Sequence, residues 1–153
     1  MAAGTFSQIY IQIVFVVKGR NSLIHTDWEE ELYKYITGIV QNKGQKMLAI
    51  NGVSNHIHFL IGLKPSCKLS DLVREIKKAS NKFINNSKFT SYKFKWQEGY
   101  AAFSYSFSAL DNVIKYIANQ KVYHKIKSFS EEYKEFLNKF QIEYKDEFLF
   151  DDV

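Results

Sequence analysis

One proline and one cysteine occur in the 153 residues. The lone Cys67 has no partner for an internal disulfide, so the chain is not a disulfide scaffold, and a reducing cytoplasm is its expected setting. The one proline, Pro65, sits where the third apolar run ends. There is no CxxC pair, no glycine-rich phosphate loop and no internal repeat, which argues against zinc-ribbon, P-loop and solenoid architectures. The longest apolar stretch, residues 9–17, is too short to span a bilayer. It lacks the charged leader and small-residue cleavage site of a signal peptide. It is expected to be a buried strand, with no membrane involved.

What is present is ordinary in bulk and unusual in detail. A chain of this length predicts a single domain, here 1–153 with a core at about 8–140 and flexible termini. Apolar residues make up 46% and aromatics 16%, with 13 Phe and 10 Tyr. So many rings leave some for base stacking or an interface once the core is filled. The net charge of +5 and isoelectric point near 9.1 suit a nucleic-acid partner without requiring one.

The β-branched and aromatic run at 8–18 reads as a central strand, followed by a turn at Gly19-Arg20-Asn21-Ser22. Thr26 or Asp27 caps a helix with Glu29 and Glu30 in its first turn. Leu32, Tyr33, Ile36, Ile39 and Val40 recur at helical spacing, and Gly44 closes it. Residues 47–53 alternate as a strand, Ser54-Asn55 is a tight connection, and His56–Leu63 returns as a hairpin partner. Ser70-Asp71 caps a second helix, whose apolar face is Leu69, Leu72, Val73, Ile76, Ala79, Phe83 and Ile84. Residues 85–95 read as a loop and Trp96–Phe107 as a strand. One helix is expected from about Ala109 through His124 and another at 131–140. The order β-α-β-β-α-β predicts a ferredoxin-like α+β sandwich with an antiparallel sheet and a C-terminal tyrosine-bearing helix.

Two places carry chemistry. In His56-Ile57-His58, strand alternation sets both imidazoles on one face, roughly 6–7 Å apart along the strand. The pair is either half of a metal site or two histidines on the polar face of an edge strand. On the third helix, Tyr116 and Gln120 are an i, i+4 pair stacked on one side. Gln120 offers a neutral carbonyl oxygen to a cation. Tyr116 offers a phenol that can attack phosphorus if a cation polarises the phosphate; such a pair is equally compatible with a helix surface. His124, one turn beyond Gln120, is in reach of the metal, but the favoured reading is a nearby polar residue touching DNA or solvent. Asn55 is placed to orient a histidine or a loop. Tyr105 is a weaker rival nucleophile, and His25 is read as a surface residue.

Four blocks in this order resemble the single-tyrosine HUH transposases of small insertion sequences, close to the REP-associated tyrosine transposases. They are Phe15-Val16-Val17-Lys18-Gly19-Arg20, His56-Ile57-His58, Trp96-Gln97-Glu98-Gly99-Tyr100, and Tyr116 followed four residues on by Gln120. The likeness runs from about residue 8 to residue 140. Gly19 departs from the family's usual tyrosine in the first turn, which touches a detail of DNA contact. The resemblance implies a divalent cation, Mg²⁺ or Mn²⁺, held by His56, His58 and Gln120. It implies that Tyr116 cleaves single-stranded DNA, leaving a 5′-phosphotyrosine and a free 3′-OH, which are later rejoined. It implies a homodimer in which one subunit's tyrosine helix can complete the other's histidine pair.

The DNA expected is single-stranded with hairpins, held through phosphates by Lys18, Arg20, Arg74, Lys77, Lys78, Lys82, Lys88, Lys93 and Lys95. Unpaired bases are expected to stack on Phe89, Tyr92, Phe94 or Trp96. Two other functions compete: a domesticated REP-type hairpin-binding protein, and a metal-binding protein of unrelated role. The short chain favours an ordinary transposase over a REP-associated one. The intact His56, His58, Tyr116 and Gln120 favour an enzyme over a binder.

Overall fold

The computed structural model describes residues 4–145 and 149–150. The expected loose ends fall partly on residues 1–3, 146–148 and 151–153, which lie outside that range. Strands β1 (Tyr10–Val16), β2 (Lys46–Val53), β3 (His56–Gly62) and β4 (Ala101–Tyr105) form one sheet in the order β2-β3-β1-β4. Every neighbouring pair is antiparallel. Helices α1 (Glu29–Asn42) and α2 (Leu69–Ser87) are the two crossovers. This is the ferredoxin-like α+β sandwich that the pattern predicts.

Strand alternation divides the sheet into two faces. Ile13, Phe15, Ile57, Phe59 and Ile61 point to α1 and α2, where they meet Leu32, Ile36, Val40, Leu72, Val73 and Ile76 in the main core. Phe15 stands edge-on to Phe59 at 5.2 Å between ring centroids. The other face is covered by α3 (Leu110–Ala118), α4 (Gln120–Tyr123) and α5 (Phe129–Lys139). Leu60 packs there against Leu110, Val113 and Ile117. Val14, Val16, Ala101 and Phe103 pack against Phe129 and Leu137. Phe150 stacks on Tyr133 at 5.0 Å, which brings the far end of the chain onto α5.

The expected strand at Trp96–Phe107 is shorter than its pattern. Only Ala101–Tyr105 pairs along β1, while Trp96 makes a single bridge to Val17. Gly99, at φ 80°, turns the chain between the two. The first two helices begin without the side-chain caps expected of Thr26, Asp27, Ser70 and Asp71. Helix α5 does have one: Ser128 accepts from the Glu131 backbone N–H at 3.3 Å. Gly44, at φ 78°, closes α1 as expected. Gly52 is required for a different reason. A Cβ there would lie 2.3 Å from the His56 carbonyl oxygen and 2.8 Å from the Ile57 Cα, both backbone atoms of the paired strand.

Candidate metal centre and nucleophile

Strand β3 lies inside the sheet between β2 and β1, so the histidines are not on an edge strand. Ile57 and Phe59 take the core face, which turns His56 and His58 to the face covered by α3–α5. Both imidazoles are buried, at 0% and 1% exposure, with centroids 5.1 Å apart. Burying two imidazoles is unfavourable unless their nitrogens are satisfied.

The partners of each nitrogen are specific. His56 Nδ1 lies 2.7 Å from Asn55 Oδ1, so the proton sits on Nδ1 and the Nε2 lone pair points inward. There it meets Gln120 Oε1 at 3.3 Å and Glu132 Oε1 at 3.5 Å. His124 gives its Nδ1 proton to the Lys127 carbonyl at 2.8 Å. Its buried Nε2 then has no hydrogen-bond partner, although Glu132 Oε1 is 3.2 Å away. His58 Nε2 lies 3.1 Å from the same carboxylate oxygen. On its other side, His58 Nδ1 meets the Gln12 amide nitrogen at 2.8 Å, and Gln12 Oε1 accepts from the Tyr105 hydroxyl at 2.7 Å. Metal binding through His58 Nε2 requires a proton on Nδ1, and therefore the Gln12 amide turned over.

Three ring nitrogens thus surround one carboxylate oxygen. Their ligand atoms all lie within 4.8 Å of one another. Around a tetrahedral ion with bonds of ~2.0–2.1 Å, ligand atoms stand roughly 3.3 Å apart; the three separations from Glu132 are 3.1–3.5 Å, while the whole set spans up to 4.8 Å, so the rings would close inward around an ion. Two lone pairs, on His56 and His124, face oxygen atoms that are themselves acceptors. A cation among them would reconcile that arrangement without protonating the rings, and the residues fit a divalent ion. Burial pushes the His56 imidazole down to about 4, against the opposing pull of Glu132. Burial likewise lowers His124. Burial would raise the Glu132 carboxyl, but its contacts with His56 and His58 outweigh this and hold it below the usual carboxylate range. Neutral imidazoles beside an ionised carboxylate are the protonation states that bind a metal.

Tyr116 and Gln120 reach this centre from a broken helix. The third helix does not run unbroken to His124. It pauses at Asn119, whose φ and ψ are −97° and 16°. Asn51 on β2 donates to the carbonyls of Ile117 (3.0 Å) and Ala118 (3.1 Å), satisfying the end of α3. Lys121 anchors the next turn through Gly52 O and Asn51 Oδ1, each at 3.1 Å, and Glu29 at 3.2 Å. Gln120 is thereby fully buried, its amide nitrogen donating to Glu132 Oε2 at 3.4 Å. The Tyr116 ring stands edge-on to His58 at 5.7 Å and lies 5.6 Å from Phe136, and its buried hydroxyl has no hydrogen-bond partner. Within one chain, then, the tyrosine and the histidine pair are neighbours. A cleft of about 530 Å³ opens beside Tyr116, lined among others by Tyr105, Asn112, Tyr123, Phe136 and Lys139. Tyr105 is not equivalent to Tyr116: its hydroxyl is committed to Gln12, and burial raises it.

Sequence reasoning alone does not find Glu132, and it ranks an approach of His124 to the metal below a contact with DNA or solvent. His124 turns its Nε2 to the ion-pair cluster, with its side chain 8% exposed, from the turn that follows the break at Asn119. Glu132 does leave a signal. It interrupts the apolar face of α5 between Phe129 and Phe136, at helical spacing from both, and a carboxylate in such a stripe needs a partner. Gln12, the one polar side chain in the apolar run at 9–17, leaves a similar one.

The expected DNA contacts divide. Lys18, Arg20, Arg74, Lys78, Lys82, Lys88, Lys93 and Lys95 are exposed, Arg74 being paired with Asp71 at 2.9 Å. Lys77 is turned inward. Its ammonium donates to the carbonyls of Gln97 (2.8 Å) and Gly99 and sits over the Phe15 ring, so it ties the 97–99 turn to α2. Trp96 is also a core residue, bonded through Nε1 to Ser80 Oγ at 2.9 Å. Phe94 is fully buried and Phe89 stacks on Trp28 at 5.1 Å. Of the expected stacking rings, Tyr92 alone is well exposed, at 66%. The basic outer face of α2 lies across the sheet from the histidines. Lys18 and Lys95 lie nearer to them, for the Lys18 N–H donates to Lys95 O and the Val17 N–H to Asn55 O at the end of the sheet where β3 begins.

Comparison with known proteins bears on the family and the fold. The family model described as "Transposase IS200 like" matches residues 5–120. No curated protein sequence matches the chain. Among solved structures, a candidate transposase from Deinococcus radiodurans R1 superposes with a TM-score of 0.62 at 18% identity, covering 78% of this chain and 96% of its own. A REP-associated tyrosine transposase bound to a REP hairpin superposes with a TM-score of 0.59 at 15% identity, covering 99% and 93%. At these identities the structures speak to the fold. No helix among the described residues is long and apolar enough to cross a membrane.

Proposed function

The chain belongs to the IS200-like transposase family, and from that premise we propose that it cuts and rejoins single-stranded DNA at the ends of an insertion sequence. Tyr116 is the nucleophile. Its hydroxyl oxygen attacks the scissile phosphorus, the P–O3′ bond breaks, and the products are a 5′-phosphotyrosine and a free 3′-OH. A 3′-OH then attacks the phosphotyrosine and restores a phosphodiester while Tyr116 leaves. One phosphodiester is exchanged for another at each step, so no nucleotide triphosphate is consumed. His56, His58 and Gln120 would hold Mg²⁺ or Mn²⁺, which when bound supplies Lewis-acid polarisation of the phosphate. Asn55 fixes the His56 tautomer, and Asn51 and Lys121 fix the turn that carries Gln120. The observation that carries this reading is the packing of Tyr116 against His58, on the buried sheet face where Gln120 meets His56.

The DNA partner is a single strand with hairpins; one structural neighbour, the REP-associated tyrosine transposase, is itself bound to a REP hairpin. Phosphates would be held at Lys18, Arg20, Lys93 and Lys95, and along Arg74, Lys78 and Lys82. Two chains acting together as a homodimer would let one tyrosine serve each cut end. The protein would work in the cytoplasm, on the nucleoid. Incubation of labelled single-stranded hairpin DNA with Mn²⁺ tests the reading. A covalent protein–DNA adduct, lost in Tyr116→Phe, supports it. Tight hairpin binding with no adduct for any flanking sequence would replace it with a domesticated REP-type binder.

A further inference from the structure

The ion expected from the family resemblance has two histidines and a glutamine, yet this chain brings two more donors to the same point. His124 comes from the end of α4 and Glu132 from the first turn of α5. Their side chains are 8% and 1% exposed. Neither position is explained by packing, since an apolar side chain would be favoured in both. His124 Nε2 is the sharper observation. It is buried, its tautomer is set by the Lys127 carbonyl, and it has no hydrogen-bond partner. Glu132 Oε1 stands 3.1–3.5 Å from three ring nitrogens, and its Oε2 is held by the Gln120 amide.

Resting on the metal-dependent reading above, we propose that His124 and Glu132 are ligands of the same ion as His56 and His58, forming a three-histidine, one-carboxylate set for a divalent transition metal rather than Mg²⁺. Imidazole suits the later divalent metals such as Fe²⁺, Ni²⁺ and Zn²⁺, and Co²⁺ lies among them in affinity, whereas Mg²⁺ prefers oxygen donors and keeps much of its water. In this set Gln120 supports Glu132 through its amide rather than the ion, and the scissile phosphate would enter as a fifth donor. The set depends on tertiary structure throughout, because its members come from β3, α4 and α5. Glu132 therefore links the ion to the docking of α5, the helix whose Phe129 lies 4.3 Å from His56 and whose Phe136 packs on Tyr116.

The test titrates the purified full chain with Co²⁺ and reads its visible absorption, which is intense for four-coordinate Co²⁺ and weak for six-coordinate. The wild type should give the intense band, and millimolar Mg²⁺ should not displace it. Glu132→Gln and His124→Ala should each weaken Co²⁺ binding by about 10-fold or more, on the scale seen for groups supporting a metal, and should lower the band. Far-UV circular dichroism checks each fold. Should either variant unfold, Glu132→Asp and His124→Gln take its place, with the same loss expected. Wild-type affinity and spectrum in folded variants at both positions would overturn the proposal, as would displacement by Mg²⁺. The adduct assay separates the two ideas. A Tyr116-dependent adduct with Co²⁺ binding indifferent to His124 and Glu132 removes these ligands and leaves the transposase reading. A four-ligand Co²⁺ site with no adduct does the reverse.

Discussion

Gly52→Ala is the substitution whose effect follows most directly from geometry. The added Cβ would stand 2.3 Å from the His56 carbonyl oxygen, where real Cβ contacts essentially never fall below 3.0 Å. The paired strands must therefore separate by at least about 0.7 Å, and neither offending atom is a flexible side-chain tip, since both belong to the β3 backbone. Overpacking of this kind costs about 1–3 kcal/mol, and the backbone character of the clash sets the expectation at about 2–3 kcal/mol. For a chain of this size that is a fall in Tm of roughly 5–10 °C. The site should suffer more than the fold. His56 rides on the displaced segment, and a misplacement near 1 Å can cost about 10²-fold in rate. Differential scanning calorimetry reads the first effect and the rate of Mn²⁺-dependent adduct formation the second. A Gly52→Ala protein with unchanged Tm and unchanged rate would refute the claim that the β2–β3 approach positions His56.

Tyr116→Phe should abolish the adduct yet change stability by less than about 0.5 kcal/mol, because the hydroxyl removed has no hydrogen-bond partner; urea unfolding checks this. Phe59→Ala, in the fully buried core behind the histidines, should cost about 3–5 kcal/mol by the same assay. Without metal, stability should fall as pH drops from about 6.5 towards 4. His56 binds its proton at about 4 when folded and near 6.5 when unfolded, so the unfolded state takes up more protons across that window. Glu132, also held low, adds a loss in the same direction. Thermal melts at stepped pH should slope downward towards acid, and a flat profile would mean that His56 is not buried in its neutral form. Lys77→Met should cost about 1–2 kcal/mol through its lost carbonyl bonds while leaving hairpin affinity nearly intact. Lys78→Ala and Lys82→Ala should instead weaken hairpin binding, each lowering the salt slope by up to about one; fluorescence anisotropy at several salt concentrations distinguishes them.

The fold is legible because its signals are local. Period two at 47–53 and 56–63, the short Ser54-Asn55 connection and the helical spacing of Leu32, Ile36 and Val40 each specify one element. The order of elements then leaves few topologies. The histidine face is legible for the same reason, since parity alone separates His56 and His58 from Ile57 and Phe59. What cannot be read locally is created by long-range contact. The break at Asn119 depends on Asn51, far away in sequence, satisfying the carbonyls of Ile117 and Ala118. That break turns His124 inward to Glu132, the less favoured of the two places expected for it. Lys77 and Trp96 fall among the expected DNA-binding residues because they stand in a basic and aromatic stretch. Composition cannot tell which members of such a stretch fold inward. The fold draws Lys77 onto the carbonyls of Gln97 and Gly99 and Trp96 onto Ser80.

Strand β3 carries the core on its odd-numbered residues and the chemistry on His56 and His58. The two requirements are interleaved on one backbone, and this makes the segment tolerant of one kind of genetic change and intolerant of another. A substitution alters one face and leaves the other in place. A single-residue deletion or insertion within 56–62 exchanges the faces for every residue beyond it. Where the change precedes His58, imidazole would be driven against Leu72 and Ile76, and phenylalanine against the carboxylate of Glu132. No compensating point mutation could restore both faces. Frame-preserving loss of one codon in this strand should therefore be as damaging as truncation, whereas loss of two neighbouring codons, which keeps parity, should still allow the sheet to form.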